Sequence, residues 1–303
     1  MPAIGTNAHP LWQMTEWSAD DATMFAVCRA NGMKVLRIDV PLWAYENTWF
    51  SKRLMRIVDL SVASGVELML VMDPTSNGVL VPLDTITKAT AAVCTIVGDE
   101  VVRFEGGNEI NLLVKGADGQ PLFGKGQTAA EFDTPLMHDW ADALKVMQQA
   151  MAKANPPPTY PYRFIVTTTS TMFGFLDFMI AQGVKIDRIG YHIYEHLGVD
   201  LKKYWNGALP AFNLFDKLRS YGKAIVVGEL NAAEIYDRDD PAQAAKSLAA
   251  LLGQFKAHPQ DLDCVCVYML TDMPQIAGAE GRFGMMRDLK TPKAAMAAMK
   301  AAM

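Results

Sequence analysis

The feature that most constrains the fold of this chain is an alternation. Short apolar or β-branched runs recur roughly every thirty to forty residues, and most are separated by amphipathic helical patterns with recognisable ends. The runs predict eight strands, at Ala3–His9, Lys34–Val40, Val66–Asp73, Val101–Glu109, Arg163–Ser170, Ile186–Tyr194, Lys223–Asn231 and Cys264–Asp272. Between Ser18 and Gly32 the helical signals are complete. Ser18 suits an N-cap, Asp20 and Asp21 suit the positive end of the helix dipole, and Gly32 suits the left-handed residue that stops it. Met24, Phe25, Val27 and Cys28 mark its buried face. Further helices are predicted at Thr48–Ser64, Leu83–Val97, Thr128–Ala154, Phe175–Gln182, Leu209–Tyr221, Pro241–Ala257 and Pro292–Lys300, with Gly65, Gly183 and Gly222 closing three of them.

Several of the strands are apolar on both faces, which fits a parallel sheet covered by helices. An open doubly wound sheet is the competing arrangement, but no glycine-rich phosphate fingerprint follows the first strand. The expectation is an α/β chain forming a single (β/α)8 TIM barrel over residues 1–303. Barrels of this kind commonly run as one unit of about 250 residues or more. The Asn155-Pro156-Pro157-Pro158 stretch is read as a stiff connector into the fifth strand, not a domain boundary. Ile110–Gln127 and Met273–Met286 are the longest loops, both on the face where strands run into helices. In such barrels that face carries the chemistry.

The composition excludes several classes. The net charge is -5, with 33 acidic and 28 basic residues interspersed and no basic run, so neither nucleic acid nor an anionic membrane is an expected partner. The apolar runs are too short to span a bilayer. Met1-Pro2-Ala3-Ile4-Gly5 carries no signal-peptide pattern, which suits a cytoplasmic protein or a trimmed secreted form. Cys28, Cys94, Cys264 and Cys266 form no disulfide framework or zinc pattern, though the last two share one strand face. The 19 methionines fall at core spacing, and His138, His196 and His258 have no ligand spacing. No metal or organic cofactor is expected.

The strand ends carry the chemistry. The fourth run ends Phe104-Glu105-Gly106-Gly107-Asn108-Glu109, and the seventh ends Val226-Val227-Gly228-Glu229-Leu230-Asn231. Two carboxylates at one barrel mouth can divide acid and nucleophile roles. On these residues the chain resembles the clan A glycoside hydrolases, retaining (β/α)8 glycosidases, and is similar to families 39 and 5. That clan ends its fourth strand in Asn-Glu, matched by Asn108-Glu109, and its seventh in a nucleophilic Glu, matched by Glu229. Arg37 resembles its second-strand Arg, and His192 and Tyr194 its sixth-strand pair. Phe283-Gly284-Met285-Met286 and Lys290-Thr291-Pro292 resemble the stretch after its eighth strand. The resemblance implies hydrolysis of a β-glycosidic bond in an oligo- or polysaccharide. It makes Glu109 the acid/base and Glu229 the nucleophile, with Arg37 and Tyr194 beside Glu229 and Asn108 on a sugar 2-hydroxyl.

One position departs from the clan. Where a Trp commonly ends the eighth strand as a floor for the sugar, this chain reads Val267-Tyr268-Met269-Leu270-Thr271-Asp272. Tyr268, or a loop tryptophan among Trp12, Trp43 and Trp205, is then the stacking candidate. The departure also motivates a barrel that binds carbohydrate without cleaving it. Asn7 and His9 end the first strand, where they suit either the sugar pocket or structural hydrogen bonds; Asp39 and Asp73 are similarly placed. Glu105, four residues before Glu109, is expected deeper on the same strand face, paired with Arg103 or Arg37. Glu234 is expected to be solvated. A lyase or aldolase would need a strand-end Lys or clustered metal ligands, which the strands do not offer.

Overall fold

A computed structural model describes residues 2–154, 162–194, 198–204, 210–232 and 240–302. Trp205, Glu234, His196, the Asn155–Pro158 connector and the expected start of the sixth helix at Leu209 lie outside the described residues.

Eight parallel strands close into a barrel. They are β1 Ala3–Ala8, β2 Val35–Pro41, β3 Glu67–Asp73, β4 Arg103–Glu105, β5 Arg163–Thr169, β6 Arg188–Tyr194, β7 Ala224–Asn231 and β8 Leu262–Val267. Each pairs with its sequence neighbours, and β1 closes on β8 with Ala3 opposite Cys264 and Gly5 opposite Cys266. Among the described residues eight α-helices accompany them: α1 Ala19–Ala30, α2 Thr48–Ser64, α3 Leu83–Val97, α4 Pro135–Ala152, α5 Gly174–Ala181, α6 Leu214–Arg219, α7 Pro241–Phe255 and α8 Ala294–Ala302. This is the single (β/α)8 barrel the alternation predicted.

The two-residue period of the strands sorts side chains into an outer core under the helices and an inner stack of layers. Outward residues such as Leu36, Ile38, Leu68, Leu70 and Met72 join the large core, together with the helix faces of Phe50, Leu54 and Ile57 on α2. Inside, the lowest layer is ionic. Asp263 receives Arg103 at 2.7 Å, Arg163 at 3.3 Å and Arg188 at 3.4 Å, and Arg103 also pairs with Glu67. Above it lies a small apolar layer of Val35, Met69, Ile165, Val226, Cys264 and Cys266, with Ala3 against it. All four cysteines are buried free thiols, and burial pushes those of Cys28 and Cys94 up to about 12. The next layer up belongs to the functional site.

The basal layer has a consequence for acid stability. Burial opposes the Asp263 charge, but the hydrogen bond and charge of Arg103, with Arg163 and Arg188, hold its carboxyl below the usual range. A depressed folded-state pKa contributes stability that is present above the unfolded value, near 3.9, and is lost as pH falls through the folded one. Asp263→Asn is therefore expected to lower stability by about 1–3 kcal/mol at neutral pH. The difference from the wild type should shrink as pH falls below the unfolded value and through the depressed folded one. Urea unfolding across pH checks this; a difference that is flat with pH contradicts it.

Several boundaries differ from the sequence expectation for identifiable reasons. The fourth strand stops at Glu105, not Glu109. Gly106 packs where a Cβ would come within 2.7 Å of Phe164 and Leu144, and Gly107 turns the chain at φ +80°. The Thr128–Ala154 helix divides into a 3-10 turn, Ala129–Phe132, and α4, because Thr134 caps a new start with Pro135 at its first position. α6 begins only at Leu214, where Asn213 accepts from the Phe215 and Asp216 amides. β8 ends at Val267 rather than Asp272, and the peptide bond between Tyr268 and Met269 is cis. Two small hairpins were not expected, Thr75–Ser76 with Val79–Leu80 and Met286–Asp288 with Thr291–Pro292. No helix among the described residues is long and apolar enough to cross a membrane.

Candidate active site

The polar layer is organised by Arg37, which the alternation of β2 aims into the barrel above Val35. Its Nε and Nη2 donate to the two oxygens of Glu105 at 2.7 and 2.9 Å. Nη1 donates to Glu229 Oε1 and Asn7 Oδ1, both at 2.9 Å, and Nη2 also reaches Asn108 Oδ1 at 2.8 Å. All five N–H donors of the guanidinium are thereby used. Burial opposes its charge, yet Glu105 and Glu229 overcome that and raise its pKa well above the ordinary value. Glu105 is fully buried and pairs with Arg37; Arg103, its other expected partner, lies in the basal layer.

Glu229 is aimed inward by an irregularity in β7. Tyr191 is opposite Val227 but His192 is opposite Glu229, so Gly228 is skipped in the register. Only a glycine fits there, since a Cβ would lie 2.9 Å from His192 Nε2. The Gly228 carbonyl accepts from Asn7 Nδ2 at 3.0 Å. Glu229 is 4% exposed, and its second oxygen accepts from the Tyr194 hydroxyl. Burial, then the charges of Glu229 and Glu109, keep Tyr194 protonated far above its usual pKa.

Glu109 reaches the same cluster by another route. It stands after β4 in the left-handed region, φ +44°, ψ 41°, so it does not share a strand face with Glu105 as expected. Its Oε1 lies 2.9 Å from His192 Nδ1, which is itself 3.5 Å from Glu229 Oε2. Oxygens of Glu109 and Glu229 lie within 4.8 Å of one another across the mouth. His192 is fully buried. Burial lowers its pKa, but the Glu229 charge and the bond to Glu109 outweigh that and raise it. Glu105 and Glu229 thus share one guanidinium, and Glu109 and Glu229 flank one proton-binding imidazole.

The remaining candidates divide. Asn7 is 1% exposed with both ends of its amide engaged, so it braces Arg37 and β7. Asn108 is exposed, and its Oδ1 is held by Arg37. His9 is bound to Asp39 through Nδ1 and stacks on Trp12 at 4.0 Å. Trp12 is 49% exposed, which leaves an indole face open beside the mouth. Trp43 is half-buried against the outer core. Tyr268 is 6% exposed and packs with Met269, Met273 and Phe283, so it offers little ring face to a ligand. A cavity of about 590 Å³ between the loops after β1 and β8 is lined by Asn7, His9, Trp12, Arg53, Leu270 and Met273 among others. Asp73 accepts from Thr75 and braces its own loop. Sequence reasoning missed the Gly228 irregularity and the left-handed Glu109; the Gly106-Gly107 pair was the available signal for the second.

No protein-family model matches the chain, and no curated protein matches it. Solved structures do. A family 39 glycoside hydrolase from the gut symbiont Bacteroides cellulosilyticus WH2 superposes with a TM-score of 0.71 at 17% identity, over 99% of this chain and 63% of that one. This chain therefore spans under two thirds of that protein's length. A family 1 β-glucosidase from Thermotoga maritima gives 0.66 at 13% identity, over 99% and 96% of the two chains. A β-glucosidase from Thermotoga maritima in complex with glucoimidazole gives 0.63 at 14%, over 93% and 92%. The chain shares the (β/α)8 barrel of these glycoside hydrolases.

Proposed function

We propose that the protein is a retaining glycoside hydrolase acting on a β-glycosidic bond, with Glu109 as acid/base and Glu229 as nucleophile. The observation that carries this is the approach of the two carboxylates, one oxygen of each within 4.8 Å, with Glu109 in the turn after β4 and Glu229 near the end of β7. Retaining pairs stand about 5–5.5 Å apart, and inverting pairs about 6.5–9.5 Å, which leaves room for a water. The barrel shared with families 39 and 1 supports the same reading.

The environments assign the roles. Glu229 receives a guanidinium N–H and a phenol O–H, partners that stabilise an anion and fix its direction, as a nucleophile requires. Glu109 is the more exposed of the two, in contact with His192 and open to the leaving group. In the first step Glu229 bonds the anomeric carbon as the bond to the leaving oxygen breaks and that oxygen takes the proton of Glu109. In the second, Glu109 takes a proton from water, the water oxygen attacks, and the ester to Glu229 breaks. Asn108 presents its amide to the sugar 2-hydroxyl, and Trp12 stacks on an apolar sugar face.

A product-resolved screen of aryl glycosides and polysaccharides tests the reading. Hydrolysis of at least one class is expected, whereas binding without cleavage across the panel would favour a carbohydrate-binding barrel. Glu109→Gln is expected to slow unactivated glycosides by roughly 10²–10⁴-fold. Nitrophenyl glycosides, whose leaving group needs no proton, should lose much less in the glycosylation step. Equal losses on both would remove Glu109 from the acid role.

A further inference from the structure

The geometry points to the Glu109–His192–Glu229 cluster as a capture site for a divalent transition ion of the zinc type, which would block the site rather than serve it. The blocking rests on the proposed function; the binding does not. Among the described residues this is the one group of three His, Cys, Asp or Glu residues whose donor atoms converge, all within 4.8 Å of one another. Zinc bonds of about 2.0–2.1 Å place tetrahedral donors roughly 3.3–3.4 Å apart. The His192 Nδ1 distances, 2.9 Å to Glu109 and 3.5 Å to Glu229, bracket that edge.

Two further observations point to a cation. The five N–H donors of Arg37 are all committed and none goes to Glu109, so that carboxylate has only the titratable His192 as its partner in the cluster. His192 is fully buried, and its Nε2 has no hydrogen-bond partner while lying 3.8 Å from Glu105 Oε1. A histidine that ligates through one ring nitrogen characteristically turns the other N–H toward a carboxylate, which fixes the tautomer. Glu105 is the carboxylate facing that nitrogen, 3.8 Å away and held by Arg37. The fourth position would face the mouth and carry water. An imidazole, two carboxylates and an open position suit zinc and cobalt(II) better than magnesium or calcium, which prefer oxygen-only sets.

Calorimetric titration of zinc chloride into the chelator-treated full chain is the test, with cobalt(II) absorption as a second measurement. One ion per chain is expected, with affinity at least about tenfold weaker in Glu109→Gln, a partly exposed residue beyond the end of β4. Cobalt(II) should give visible bands typical of four-coordination in the wild type and lose them in that variant. Asp133→Asn, at the exposed His138–Asp133 pair, should change neither. No binding, or binding that survives Glu109→Gln and disappears in Asp133→Asn, overturns the site. In the turnover arm, zinc should suppress hydrolysis and a chelator restore it. Zinc binding without hydrolysis of any glycoside would sink the proposed function alone, and hydrolysis indifferent to saturating zinc would sink the capture site alone.

Discussion

Glu229→Gln is expected to lower turnover by roughly 10⁴-fold or more, the scale seen when a nucleophile or its oriented partner is removed. It should leave the fold intact. The amide keeps the shape of the carboxylate; its oxygen can still accept from Arg37 and its NH2 can donate to the Tyr194 hydroxyl oxygen, while Glu105 continues to neutralise the guanidinium through two hydrogen bonds. What disappears is the negative charge that forms the glycosyl ester. Steady-state rates on the best substrate of the screen, with circular dichroism to confirm folding, check the prediction. A folded variant retaining a tenth of the activity would exclude Glu229 as the nucleophile.

The second large effect is on stability. Arg37→Met would leave Glu105, fully buried, and Glu229, 4% exposed, facing each other without their shared cation. Breaking a buried ion pair from one side costs about 3–5 kcal/mol, a large part of the roughly 5–15 kcal/mol that holds a typical domain together. The urea midpoint should fall accordingly with an unchanged slope. Adding Glu105→Gln should recover part of the loss, because one of the two unpaired charges is then removed. A single variant within about 1 kcal/mol of the wild type would mean that solvent reaches this layer, against the burial described.

The barrel was legible because its signal is repeated. Each unit places an apolar run beside an amphipathic helix, and Gly65, Gly183 and Gly222 mark the returns. Lengths were less legible, since a run of strand-like residues does not reveal where hydrogen bonding ends. Val101–Glu109 reads as one strand, yet Gly106 and Gly107 let the chain leave the barrel after Glu105 and return Glu109 from above. Pro135 likewise fits a helix interior by pattern but starts a new helix in fact.

In the site, the strand-end carboxylates Glu109 and Glu229, together with the clan resemblance that added Arg37, Asn108, His192 and Tyr194, pick out residues that the fold brings together. Their wiring was hidden, because it depends on register across strands. Only the skipped Gly228 brings Glu229 opposite His192, and only the pairing register of β1 with β2 sets Asn7 opposite Arg37. The aromatic floor was the least legible part. Tyr268 occupies the right position in sequence, but packing on Met269, Met273 and Phe283 takes up its ring, and the exposed indole belongs to Trp12.

Trapping the covalent intermediate tests the central claim most directly. A panel of activated 2-fluoro glycosides slows breakdown of the glycosyl-enzyme by destabilising an oxocarbenium-like transition state. Incubation followed by mass spectrometry should show one added glycosyl unit per chain, located on Glu229 and missing from Glu229→Gln. Hydrolysis whose first-formed product has inverted configuration, with no adduct on Glu229, would contradict the assignment of a retaining mechanism to this pair of carboxylates.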